Sequence, residues 1–349
     1  MLTQSTRQII QAVDIGYGHT KYVIQRLQDE IQCGSFPSFA PLAHNEEGGL
    51  STLAPARNCV TVLDSNGKLR EVGRDAALLS DGTNVRNMDD NYTTAPEYLA
   101  LFRGALRHMA QRDIDMLVTG LPVNLYKLPN QKETLEQILT GAHKMPDGDE
   151  YFVKKVIIVP QPFGGFFDFS VTNKKFDDMR RQTNLMIDPG ERTFDWLVMQ
   201  GMKPMPNLSH AHPKSMGAII EAIAQSLGRE LKTNITSLQS QQRISQSLRD
   251  GEHPIIRGQQ RDISKHMAGA LEIAEEALTA MSKKIGEAND IDNIIVCGGG
   301  AKFFYELIKC RYPDHTVLMN ADPMYSNVRG YQIAGELWMR QQTKNRVAA

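Results

Sequence analysis

The sequence predicts an α/β fold made of two similar units with a cleft between them. Three observations predict it. Residues 12–21 form an apolar strand that ends in Asp14 and enters a glycine turn. Residues 186–196 repeat that plan with Asp188 and Gly190. Residues 294–301 place Gly298, Gly299 and Gly300 between an apolar strand and a helical stretch. The first two segments each open one half of the chain, which is the symmetry of a duplicated unit and not of a short repeat.

The bulk properties fit that outline. A chain of 349 residues is expected to carry two domains. Hydrophobic residues make up 41% and charged residues 23%, enough apolar material for sizeable cores. The formal net charge of -1 argues against a globally basic nucleic-acid binder. Cys33, Cys59, Cys297 and Cys310 contain no CxxC pair and read as reduced thiols. The polar stretch 1–11 lacks the apolar core of a signal peptide. No apolar run approaches the ~20 residues that span a bilayer. A cytoplasmic protein without membrane contact is expected.

The elements follow in order. Residues 9–13 form a short strand, with residues 21–27 as its hairpin partner around Gly16-Tyr17-Gly18-His19. Residues 59–63 and 69–73 form a second hairpin, turned by the Asn66-Gly67 step. Residues 97–112 have helical spacing, with Leu99, Phe102, Leu106 and Met109 on one face. A strand over 115–119, a helix over 132–140 and a strand over 154–159 complete the first half. The second half opens with strands over 184–187 and 194–200. Residues 202–213, rich in Pro, Asn and His, read as a loop. Residues 215–231 form an amphipathic helix with Ile219, Ile220, Ile223 and Leu227 inward, and residues 263–285 a longer one. A strand over 293–297, a helix over 301–310 and a final helix over 325–339 end the pattern.

The chemistry gathers at the three glycine segments. An Asp at the end of a buried strand stands at the mouth of a sheet, where ligands bind in α/β folds. The backbone of Gly16, Tyr17 and Gly18 can approach a phosphate closely, and Lys21 adds a point charge. Alone, that segment is equally an ordinary hairpin with a capping Asp. Asp188, before the turn of Gly190 and Thr193, can hold a hydrated Mg²⁺. Asp195 reads equally as part of that site or as a turn-stabilising carboxylate. The three glycines give bare backbone on which a nucleotide can lie flat, with phosphates near a helix N-terminus. No GxxxxGK[ST] loop occurs. His210-Ala211-His212 lacks the carboxylate or cysteine cluster of a metal site and reads as solvated loop. Cys297 has no evident base beside it and reads as a buried strand thiol. Arg340, Lys344 and Arg346 read as a frayed, solvated end.

In their order, the two Asp-x-Gly hairpins and the strand–Gly-Gly-Gly–helix resemble the phosphate 1, phosphate 2 and adenosine segments of the actin-like ATPases. Over roughly residues 10–337 the chain resembles the bacterial ParM/StbA-type actin-like proteins of plasmid segregation, above all the ParM-like member of plasmid PRTRC systems. The resemblance implies an actin-like α/β fold, a duplicated ribonuclease H-like ATPase architecture with the nucleotide between its domains. Domain I would take residues 1–181 and 324–349, and domain II residues 182–323. ATP or GTP with Mg²⁺ would be the cofactors. Asp14, Gly16 and Lys21 match the first loop, Asp14 helping to hold the metal and Lys21 contacting phosphate. Asp188 and Gly190 match the second, Asp188 orienting the metal and the attacking water. Gly298, Gly299 and Gly300 match the adenosine loop. Gln161 falls at the water-positioning place, where ParM-type proteins often carry Glu and actin carries Gln. A Gln can orient water without acting as a strong base, and its competing reading is a strand-end amide satisfying a turn. Residues 116–125 resemble the first connecting segment, and Arg249, Asp250 and Glu252 fall near the base and ribose region.

The chain departs from the family's Asp-x-Gly-x-x-Thr-x-Asp loop, which usually has small residues after its first Gly. Pro189 precedes Gly190, and the bulky Glu191 and Arg192 follow it. Arg192 either contacts phosphate or blocks its approach. The implied activity is polymerisation into ATP-dependent filaments that position plasmid DNA through a DNA-binding adaptor, with hydrolysis destabilising the filament. No direct sequence-specific nucleic-acid binding is expected. Two alternatives stay open. One is a small-molecule kinase of the same superfamily, which needs an acidic base facing a substrate hydroxyl. The other is a scaffold that binds nucleotide without hydrolysing it, favoured by the Pro189-Gly190-Glu191-Arg192 turn.

Overall fold

A computed structural model describes residues 8–28, 30–43, 55–80, 89, 91–109 and 111–348. Residues 1–7 of the polar N-terminal stretch, and the side chain of Arg346, lie outside the described residues.

Two sheets carry the chain. The first has five strands in the spatial order Val156–Pro160, Met116–Leu121, Ile10–Ile15, His19–Arg26, Ile31–Pro37. The first three run parallel, and the last two fold back antiparallel. The second sheet runs Val317–Met319, Asn293–Val296, Thr183–Pro189, Phe194–Gln200, Lys203–Pro204, with His210–His212 also paired to Phe194–Gln200. Its first three strands are likewise parallel and the rest antiparallel. Both sheets therefore place an Asp-ending central strand between two parallel neighbours on one side and its own hairpin partner on the other. These central strands are buried on both faces, as their unbroken apolar runs require.

The layers explain the burial. Helix Pro96–Met109 covers the outer face of the first sheet, with Leu99, Phe102, Leu106 and Met109 buried as their spacing predicts. Helices Met216–Glu230, Ala268–Ile285 and Ala301–Arg311 cover the outer face of the second. Two crossing helices fill the space between the sheets. Pro162–Thr172 leaves the first sheet and packs its phenylalanines on Met186, Leu197 and Ile295 of the second. Ser326–Ala348 leaves the second sheet and packs Val328 and Tyr331 on Ala12, Met116 and Val118 of the first.

The crossing helices touch through glycine. A Cβ on Gly164 would strike the Asn327 backbone, and one on Gly330 would strike the Gly164 carbonyl. Arg329 and Asp168 tie the same pair, Nε to Oδ1 at 2.9 Å, with Asn320 donating to Asp168 Oδ2 at 2.6 Å.

Several elements go beyond the sequence reading. Strand Ile31–Pro37, the hairpin Gly141–Lys144 with Glu150–Val153, and helices Pro162–Thr172 and Leu238–Asp250 were not expected. Gly164 and Gly165 weaken the helical signal of the first helix, and they are there for close approach to Asn327 and Cys297. Leu238–Asp250 is rich in Gln and Ser and buries only Ile244 and Ser247; the Ser237 side chain caps it and Gly251 ends it at φ 72. The expected loop 202–213 contains two short strands, because its backbone pairs with the edge of Phe194–Gln200. The helix expected from residue 263 starts at Ala268, after a 3-10 turn over Ser264–His266. The final helix extends to Ala348 rather than ending near residue 339. Among the described residues, no helix is long and apolar enough to cross a membrane.

Candidate functional site

The site grows from the two equivalent hairpins. In each, Gly closes the turn by donating to the residue three places on: Gly16 N to His19 O at 3.2 Å, Gly190 N to Thr193 O at 2.9 Å. Asp14 then lies opposite Lys21 across its hairpin, and Asp188 opposite Asp195 across the other. The turn carbonyls are tied within their own units. Ser38 Oγ and Tyr92 Oη donate to Gly16 O at 2.5 and 3.2 Å. Met216 N and Gly217 N, the start of helix Met216–Glu230, donate to Gly190 O and Glu191 O at 3.1 and 2.6 Å. The leading N–H groups of that helix therefore fix the second turn.

The carboxylates are buried and individually partnered. Lys21 Nζ donates to Asp14 Oδ2 at 2.8 Å, and Gln161 Nε2 donates to Asp14 Oδ1 at 3.1 Å. Asn327 Nδ2 donates to Asp188 Oδ2 at 2.6 Å. Asp195 accepts from Thr193 Oγ1 at 2.5 Å and from Val123 N at 2.6 Å. The Val123 bond joins the two units, so Asp195 stabilises its turn and also ties its strand to the other unit.

Burial in this crowd shifts proton affinities. Asp188 is pushed up to about 7, by desolvation first and then by the charges of Asp195 and Asp14, against Lys21 and the Asn327 hydrogen bond. Asp195 is pushed up to about 6 by desolvation, against its Thr193 and Val123 bonds. Desolvation pulls Lys21 down, but Asp14 and the more distant Asp188 outweigh it and the net shift is upward. Asp14 and Asp188 thus share one ammonium, Lys21, and a divalent cation beside them would favour the ionised form of Asp188. Among the described residues, no group of three or more His, Cys, Asp or Glu forms a metal cage. The donor set suits Mg²⁺, which keeps several waters and takes only one or two carboxylates.

The glycine loop completes the floor. Gly298 has φ +83, and a Cβ there would collide with Asp188 Oδ1, so only glycine fits. Its N–H donates to Pro323 O at 2.8 Å, and Gly300 N donates to Pro189 O at 2.9 Å. Gly300 abuts the Met216 side chain. Gly299 has no neighbour within 4 Å of a built Cβ and faces the open cleft.

The cleft brings together Asp14, Gly16, Tyr17, Gly18, Lys21, Gln161, Asp188, Gly190, Thr193, Gly299 and Gly300. Gly298 stands behind them against Asp188. The Tyr17 ring stacks on Tyr92 at 4.6 Å between centroids, and its hydroxyl donates to Asp89 O at 3.3 Å. Arg192 lies over that ring, its guanidinium carbon 5.6 Å from the centroid. Arg249 reaches the cleft with Ser245, to which it donates at 2.8 Å, while Asp250 and Glu252 are exposed elsewhere.

Sequence reasoning missed Asn327, Ser245 and Met324. Asn327 sits in a polar helix far along the chain, with no local signal for its bond to Asp188. His210 and His212 lie in a short strand on the second sheet, and His212 is 3.5 Å from Glu276. Cys297 is buried against Ile187 O, and burial drives its thiol well above the ordinary range.

Comparison with known proteins gives two family models end to end. Residues 12–164 match "Actin like proteins N terminal domain", and residues 186–309 match "Archaeal actin homologue MreB-like, C-terminal". Among solved structures, an archaeal actin homologue superposes with a TM-score of 0.74 at 19% identity, covering 95% of this chain and 100% of that one. The same homologue has also been solved as a complex with ADP. The apo ParM protein of pSK41 gives 0.67 at 20% identity, covering 96% and 99%. A ParM from a 15-stranded filament of Clostridium botulinum gives 0.71 at 19% identity, covering 95% and 100%. No curated protein sequence matches the chain.

Proposed function

We propose that this chain, whose fold is the two-domain actin-like fold, binds a nucleoside triphosphate with Mg²⁺ between its hairpins and assembles into filaments in that state. The observation that carries the reading is the pair of equivalent Asp-x-Gly hairpins facing each other across one cleft, with the glycine loop beneath. The filament structure among its neighbours supports the self-association.

Each residue has a role in this reading. The backbone at Gly16 to Gly18 and at Gly190 cradles phosphate oxygens, and Lys21 donates to one of them. Asp14 and Asp188 would hold Mg²⁺, which supplies charge neutralisation of the phosphates. Gly299 and Gly300 present bare backbone to the nucleoside, with Arg249 and Ser245 at its edge. Gln161 orients a water for attack, since phosphoryl transfer is mainly positioning and electrostatics. The domain division at residues 181–182 and 323–324 belongs to the same proposal, as do ATP or GTP as nucleotide, a DNA-binding adaptor as partner, plasmid segregation as role and the cytoplasm as place.

Gln161 donates one amide N–H to Asp14 at 3.1 Å, which leaves its second N–H and its oxygen to orient a water. Calorimetric titration with Mg-ATP and Mg-GTP tests the reading. Wild-type protein should bind at least one of them, and Lys21→Ala should weaken binding by about tenfold or more. No heat with either nucleotide, in folded wild-type protein, would sink it.

A further inference from the structure

Each crossing helix begins at the cleft with a buried amide. Gln161, at the head of helix Pro162–Thr172, donates to Asp14 Oδ1 at 3.1 Å. Asn327, in the first turn of helix Ser326–Ala348, donates to Asp188 Oδ2 at 2.6 Å. In both cases the helix leaves the sheet whose central strand carries the aspartate. The two amides are therefore equivalent under the duplication that relates the two hairpins.

The two carboxylates differ in what else holds them. Asp14 has a second anchor in Lys21 at 2.8 Å. Opposite Asp188, across its hairpin, stands another carboxylate, Asp195. Asn327 is the one hydrogen-bond donor that Asp188 has among the described residues. The other oxygen, Oδ1, lies against Gly298, where a Cβ would collide with it. The carboxylate is thus held by an amide at one oxygen and bounded by bare backbone at the other. Packing does not explain an Asn at this position. Asn327 is buried, and its Oδ1 has no partner among the described residues. An unpaired buried acceptor costs stability that an apolar side chain of the same size would not.

We infer that Asn327 is a positioning residue, the counterpart of Gln161 on the second aspartate, whose amide sets the orientation in which Asp188 receives a hydrated divalent cation. Partners of this kind orient the groups that bind a metal, and their loss weakens metal binding about 10–100-fold. This inference rests on the nucleotide and Mg²⁺ reading above and adds to it what holds the second carboxylate in place.

Fluorescent ATP and GTP analogues, each at one fixed concentration, are titrated with Mg²⁺, and the half-saturating Mg²⁺ is compared between wild type and variants. Asn327→Leu keeps the bulk without the donor, and Asn327→Ser keeps a shorter polar group. Gln332→Met is the control. It removes a bond from the same helix to Ile10 O, at the opposite end of the central strand from Asp14. Thermal melts show which proteins are folded. Each folded Asn327 variant should need about tenfold more Mg²⁺ than wild type, and Gln332→Met should match wild type. A folded Asn327→Leu with the wild-type requirement overturns the inference. An equal shift in Gln332→Met also overturns it, because the effect is then one of helix stability. If neither Asn327 variant folds, wild type decides. With isotope-labelled asparagine, the Asn327 side-chain amide resonance should move when Mg²⁺ joins the nucleotide complex, and an unmoved resonance overturns the inference. Wild type that binds nucleotide without regard to Mg²⁺ overturns the inference alone. Wild type that binds neither analogue, with or without Mg²⁺, overturns the nucleotide reading and the inference with it.

Discussion

Asp188 is held near neutrality by burial and by two neighbouring carboxylates, and this gives the metal-free protein a pH signature. Its proton affinity in the folded state, about 7, exceeds that of an ordinary Asp. A carboxyl group whose folded value is raised stabilises the fold while protonated. That contribution is present below the unfolded value of about 4 and is lost as pH rises toward 7. Asp195 adds a similar loss that ends near 6. In metal-free buffer, Asp188→Asn should therefore flatten the fall in melting temperature between pH 5 and 8 relative to wild type. Parallel melting curves for the two proteins would show that Asp188 is not the strained group. At this scale the sequence was informative where chemistry is local to the chain. Asp14, Asp188 and the glycines announce themselves because each ends a strand and opens a turn. Asn327 on Asp188, and Val123 on Asp195, could not be read, since each bond joins residues far apart in sequence that only the folded chain brings together.

At the scale of elements, the two crossing helices fix the sheets against each other and so set the width of the cleft. Their contact depends on absent side chains. Gly330→Ala puts a methyl group against the Gly164 carbonyl, with no flexible side chain to yield. Overpacking of this kind costs about 1–3 kcal/mol, and the backbone contact places this case near the upper end. Urea denaturation of Gly330→Ala should show that loss, whereas Gly269→Ala, whose added methyl meets only the Ala222 Cβ at 3.6 Å, should lose less. The reverse order would show that the helices adjust freely. The same helices mark the limit of pattern reading. Helix Met216–Glu230 and helix Pro96–Met109 were legible because each has one wet and one dry face. Helix Pro162–Thr172 is almost wholly buried, and its glycines serve another helix 160 or so residues away, so neither periodicity nor propensity reveals it. Helix Leu238–Asp250 fails for the opposite reason, having too small an apolar face.

At the scale of the molecule, the duplicated sheets were legible because the duplication repeats a local motif, and the crossing of the helices between them was not. What the whole architecture offers is a cleft whose two walls are equivalent turns on separate sheets, tied at Val123–Asp195 and meeting at Gly18 and Glu191. A ligand that bridges both turns can bias the angle between the sheets, which is how binding in the cleft would reach surfaces far from it. The proposed function requires that such a ligand govern assembly. Electron microscopy of the purified protein, with Mg-ATP, with Mg-GTP and without nucleotide, tests it most directly. Filaments are expected with at least one nucleotide and none without. The same particles under all three conditions, whether unassembled or equally assembled, would contradict it.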